Sequence, residues 1–148
     1  MPRVDANGIA SLVYHKRPYL FIDRVKEYAG GEGVECEMII RGDESYLSGH
    51  FPGRPILPGV FEVEAMFQAA EAFIALEVEG KGNIYHQGDV KLAKIVSAKF
   101  QRPITPPASL TVSVRLNKFD GEDMKFKGSV YHDDEKCAES SFIVKVLL

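Results

Sequence analysis

Residues 49 to 59 hold three glycines and three prolines around one histidine, His50. Proline fixes φ and removes a donor, and glycine admits backbone shapes closed to other residues. A segment this dense in both is neither helix nor strand and reads as a loop held in one shape. From Val60 to Val78 the character changes: 14 of these 19 residues are apolar, and neither glycine nor proline occurs. That is a helix of about 28 Å at 1.5 Å rise per residue. Glu62 and Glu64 stand in its first two turns. An imidazole on a stiff loop, followed by a carboxyl in an apolar helix, has the composition of a general acid–base pair. Imidazole titrates near neutrality, and apolar surroundings raise a carboxyl toward the same range.

Both groups need a support, and the rest of the chain reads as one. Residues 1–8 are a polar lead, and Ile9 to Tyr14 reads as a short helix. Tyr19 to Val25 and Val34 to Arg41 read as strands on either side of the turn Ala29-Gly30-Gly31-Glu32-Gly33. Gly80, Gly82 and Asn83 end the long helix. Beyond it, Leu110, Val112, Val114 and Leu116 alternate with polar residues at period two. After a turn at Asp120-Gly121, Met124, Phe126 and Val130 alternate with Lys125, Lys127 and Ser129. His132 to Glu135 turns again, and Phe142, Val144 and Val146 form a last strand. Turn-linked strands at this spacing predict an antiparallel meander. A helix apolar around most of its circumference is wrapped on several sides. The expected architecture is one two-layer α+β domain over residues 1–148, its sheet curved around the helix.

Bulk properties exclude several classes. At 148 residues the chain can bury a core without staples. A net charge of −3 gives no bulk attraction to nucleic acid or to an acidic membrane. Cys36 and Cys137 stand far apart, and no cysteine or histidine spacing suits zinc, so no metal is expected. The two cysteines read as buried free thiols of a reducing compartment. His15, His86 and His132 read as structural or exposed. No charged-then-apolar leader and no apolar run of about 18 residues occurs, so a cytoplasmic location is the expectation.

Three segments carry a resemblance. They are His15-Lys16-Arg17-Pro18-Tyr19-Leu20-Phe21-Ile22-Asp23-Arg24-Val25, the run from Gly49-His50-Phe51-Pro52-Gly53 to Glu64-Ala65-Met66-Phe67-Gln68, and Phe100-Gln101-Arg102-Pro103-Ile104-Thr105-Pro106. Together they resemble the β-hydroxyacyl-(acyl-carrier-protein) dehydratases, in their dehydratase-only branch. The resemblance implies the hot-dog fold, a curved antiparallel sheet around one long helix. It also implies a homodimer whose sheets join edge to edge, with a trimer of dimers left open, and active sites shared between subunits. The reaction implied is loss of water from a 3-hydroxyacyl thioester to give the trans-2-enoyl thioester, in fatty acid, specialised lipid or polyketide synthesis. His50 matches the base and Glu64 the acid that handles the β-hydroxyl. Glu62 competes for that role but lies about 200° around the helix from Glu64. Free N–H groups where the loop becomes helix, at Gly59 or Val60, could bond the thioester oxygen. Gln68 matches the site glutamine and is given a supporting hydrogen bond.

No cofactor is implied. The acyl group would arrive on the phosphopantetheine arm of an acidic acyl carrier protein, for which Arg102, Lys99, Arg54, Lys16 and Arg17 are candidate contacts. The chain departs from the family pattern at Pro106-Pro107-Ala108 and carries Phe67 and Glu71 where small residues are common, which bears on the acyl channel. Two other classes compete: a non-catalytic acyl-binding domain of the same fold, and a thioesterase. The presence of both His50 and Glu64 argues against the first, and the His-Phe-Pro-Gly loop against the second.

Overall fold

The computed structural model describes residues 5, 8–9, 12–13, 16, 19–47, 55–84, 86 and 89–146. Six strands form one antiparallel sheet: β1 (Arg24–Ala29), β2 (Gly33–Ile40), β3 (Val90–Phe100), β4 (Ala108–Phe119), β5 (Asp123–His132) and β6 (Glu135–Val146). Their spatial order is β1-β2-β4-β5-β6-β3. The central helix runs from Gly59 to Gly80 and touches all six strands. The sheet therefore closes around it, as an apolar helix requires.

Register aligns one apolar row across the sheet: Leu116 opposite Phe126, Phe126 opposite Phe142, Phe142 opposite Ile95. Phe73 of the helix meets Phe126 edge-on and Tyr28 on the other side, and Phe126 stacks on Phe142. Small residues let helix and sheet approach. Ala65, Ala69, Ala70, Ala72 and Ala75 are wholly buried. At Gly128 of β5, a Cβ would stand 2.7 Å from the sulfur of Met66, so the helix occupies the space a side chain would need.

The meander β4-β5-β6 is as the period-two pattern predicts, and the helix and β2 fall within two residues of their expected ends. Two features differ. The strand expected from Tyr19 begins only at Arg24, because residues 19–21 pair with a helix side chain instead: Gln68 accepts from the Phe21 N–H and donates to the Tyr19 carbonyl. Strand β3 was not foreseen, because shifts of register between Leu92 and Lys94 and between Ile95 and Ser97 break its alternation. Late in the helix, Glu77 accepts a hydrogen bond from the Gly31 N–H and ties the helix to the β1–β2 turn. Burial and this carboxylate push the neighbouring Tyr28 hydroxyl up to about 12. Cys36 and Cys137 are buried and free.

Phe73 is 0% exposed and joins helix to sheet. Phe73→Ala should cost about 3–5 kcal/mol, read as a lowered urea midpoint with an unchanged slope.

Candidate active site

The helix start is fixed from two directions. Before it, the Leu57 N–H donates to the Ile104 carbonyl at 2.9 Å, and both side chains are buried. Pro58 caps it in an extended conformation with no side-chain hydrogen bond. Phe61 N–H donates to the Pro58 carbonyl at 3.0 Å. The N–H groups of Gly59 and Val60 precede that bond and have no intrahelical partner. Val60 is 71% exposed, so this end of the helix is open to an incoming oxygen.

Around the first turns, Phe61 packs against Phe21 and Tyr46, and Phe21 against Tyr19, with centroids 4.7 to 5.9 Å apart. Sequence reasoning missed this aromatic group, whose members come from three separate segments. Glu64 stands one turn on, partly buried, with one carboxyl oxygen buried and without a hydrogen-bond partner. Burial pushes its carboxyl up to about 7, against the opposing hydrogen bond of Gln68. Such a group can hold a proton near neutrality and give it up. Gln68 is wholly buried and has both ends of its amide committed to the backbone, at 2.8 Å to Phe21 and 2.7 Å to Tyr19. It supports Glu64 and pins residues 19–21 to the helix.

Glu62 looks the other way. Helix geometry puts it on the side of Met66 and Phe73, which face β5, and its charge is felt by the Cys137 thiol of β6. It is 3% exposed, one oxygen has no partner, and burial pushes it up to about 8. Glu62 is therefore a carboxyl of the helix–sheet core, on a different face from Glu64. Phe67 and Glu71 lie toward the Glu64 and Gln68 side and are buried, at 5% and 1% exposure.

His50, Arg54 and Arg17 lie outside the described residues. Among the other basic candidates, Arg102 pairs with Glu135 at 2.9 Å with both side chains largely exposed. Lys16 donates to the Val13 carbonyl at 3.4 Å. Lys99 lies exposed on the outer side of β3, opposite Glu139. The register adds a feature that sequence reasoning did not assemble. Arg115 stands opposite Lys127 and Lys118 opposite Lys125, while Lys91 and Lys94 stand on the edge strand β3, beyond β6. The alternating lysines of β5 were visible in the sequence, but their alignment with other strands required the pairing. Among the described residues no group of three histidine, cysteine, aspartate or glutamate side chains could hold a metal ion.

A family model described as a FabA-like domain matches residues 14–141. The 3-hydroxyacyl-[acyl-carrier-protein] dehydratase FabZ of Granulibacter bethesdensis is 32% identical over 146 residues, covering 97% of this chain and 83% of that protein. The protein of the same name from Natranaerobius thermophilus is 33% identical, covering 91% and 92%. Among solved structures, the dehydratase heterocomplex ApeI:P from Xenorhabdus doucetiae superposes with a TM-score of 0.80 at 17% identity, over 93% of this chain and 90% of that one. The fold is the hot-dog fold.

The raised Glu62 carboxyl has a thermodynamic sign. The folded chain holds its proton more tightly than the unfolded chain, so its contribution is whole below the ordinary carboxyl range and is lost as pH rises through about 8. Glu64 acts in the same direction through about 7. The urea midpoint should fall from about pH 5 to about pH 9, and Glu62→Leu should raise it at the alkaline end and leave only the smaller fall due to Glu64.

Proposed function

Because the chain belongs to the family of FabA-like domains, we propose that it is a 3-hydroxyacyl-(acyl-carrier-protein) dehydratase, a hydro-lyase that forms trans-2-enoyl thioesters. The observation that carries this reading is Glu64. It is a half-buried carboxyl with a spare buried oxygen and a value near 7, on the helix that follows the His50 loop. In the proposed reaction, neutral His50 takes the proton α to the thioester carbonyl. The electron pair of that C–H bond becomes the new C=C bond as the β C–O bond breaks. Glu64 donates its proton to the departing hydroxide, which leaves as water, and proton return from the imidazolium to Glu64 resets the site. The Gly59 and Val60 N–H groups would hold the carbonyl oxygen as negative charge develops on it. No cofactor enters these steps.

The working unit in this reading is a homodimer. Strand β3 lies at a sheet edge and exposes Ile95, Val96 and Phe100 by about half. An unpaired edge carrying apolar side chains is a template for a further strand, and β3 of a second copy would extend the sheet there. The partner's helix would then supply the acid for this chain's His50. The two chains form one domain each over residues 1–148, and three dimers could assemble further. An acidic acyl carrier protein would deliver the substrate to the basic side, with Arg102, Lys99, Arg54, Lys16 and Arg17 among its contacts. Among the described residues no helix is long and apolar enough to cross a membrane, and we place the enzyme in the cytoplasm.

His50→Ala and Glu64→Gln should each lower turnover of a crotonyl thioester by about 10²- to 10⁴-fold. Loss of enoyl absorbance without free thiol is the expected signal; thiol release would indicate a thioesterase, and neither signal a binding domain. In the dehydration direction kcat/KM should fall above about pH 7, where Glu64 loses its proton. Mixing the two inactive variants should restore part of the activity once subunits exchange, and no recovery after demonstrated exchange would refute the shared site. Phe67→Ala/Glu71→Gly should shift the preferred acyl chain toward greater length, measured on 3-hydroxyacyl carriers of increasing length. An unchanged profile would leave these two residues as packing.

A further inference from the structure

The segment Phe100 to Ile104 lies more than thirty residues after the helix start in sequence, yet grips it in space. Phe100 ends β3 in register with Ala138 of β6. Immediately after it, the N–H groups of Gln101 and Arg102 both donate to the Cys137 carbonyl, at 2.8 and 3.2 Å, so the strand end is held firmly. Two residues on, the Ile104 carbonyl takes the Leu57 N–H. Between these fixed points the Phe100 ring lies on Gly59. A Cβ built at Gly59 would meet Cε1, Cδ1 and Cζ of that ring at 2.7, 2.9 and 3.0 Å. Real Cβ atoms do not sit at the shortest of these distances, so ring and backbone touch only because residue 59 has no side chain. The rest of the Phe100 ring is open, the residue being 52% exposed at the sheet edge.

From this contact we infer that Phe100 is a positioning residue for the reaction, a wall that sets where the Gly59 and Val60 N–H groups point. Resting on the dehydratase reading above, the inference gives the Phe100-Gln101-Arg102-Pro103-Ile104 run a task. One hydrogen bond holds the loop at Leu57, and one aromatic face holds the first helical residue. The helix start lacks a side-chain cap, and the Phe100 ring supports it from a distant segment. A small displacement of an oxyanion donor is costly, since a misplacement of about 1 Å can lower a rate about 10²-fold.

The test is a set of variants assayed for dehydration of a 3-hydroxyacyl thioester and for urea stability, with oligomeric state checked by size exclusion. Phe100→Ala should lower kcat about tenfold to a hundredfold with a much smaller change in KM, and Phe100→Tyr should restore it. Gly59→Ala should be worse than Phe100→Ala. The double variant Gly59→Ala/Phe100→Ala should be both faster and more stable than Gly59→Ala alone, because removing the ring makes room for the new methyl. Phe126→Leu, a core lesion away from the helix start, should lose stability and keep its kcat. If Phe100→Ala does not fold, Phe100→Leu replaces it in each comparison. An unchanged kcat in a folded Phe100 variant, or a double variant no better than Gly59→Ala, overturns the inference. If the wild type dehydrates no 3-hydroxyacyl thioester, the functional reading fails instead. The coupling of Gly59 and Phe100 in urea stability then still reports whether the contact exists.

Discussion

A carboxyl group inside a wrapped apolar helix is the constraint around which this protein is built. Burial disfavours the charged form, so a glutamate on such a helix keeps its proton into the neutral range. That property is what an acid catalyst needs, and it exists only while the sheet stays closed on the helix. The five buried alanines and the gap at Gly128 are the means of closure. Each permits a nearer approach of helix and sheet, and the nearer approach keeps water from the carboxyls.

The same constraint acts on two glutamates with different consequences. Glu64 opens toward the aromatic group at the helix start and is steadied by Gln68, whose amide is itself locked to the backbone. Its unsatisfied oxygen is an available acceptor or proton donor for a reacting group. Glu62 turns into the sheet beside Met66 and Cys137, where no hydrogen bond compensates one of its oxygens. An unpaired buried oxygen costs free energy. Only its helix position separates it from its neighbour two residues away.

Much of this was legible in the residues. The helix and the β4-β5-β6 meander follow from periodicity. The side of Glu64 could be distinguished from that of Glu62 by counting around the helix. What was not legible depended on tertiary partners. Residues 19–21 have strand-like composition, yet the Tyr19 carbonyl and the Phe21 N–H pair with Gln68, a side chain far along the chain. Strand β3 loses its period to two irregularities of register. The grip of Phe100 on Gly59 joins two motifs that the sequence presents separately, and only the fold brings them together. The roles proposed for His50 and Glu64 rest on the family pattern, since a loop histidine and a helix glutamate have no necessary relation in sequence.

The placement of β3 also bears on how the molecule comes into being. It follows the central helix in the chain, yet its one neighbour in the sheet is β6, the last strand in sequence order among the described residues. During synthesis β3 must wait, with Ile95, Val96 and Phe100 uncovered, until β4, β5 and β6 have been made and paired. Non-local pairings of this kind are slow to form because loop closure must come first. The edge that would receive a second copy is thus finished last. A half-made chain lacks a completed surface for association, and the exposed apolar strand is most vulnerable to wrong pairing during that interval.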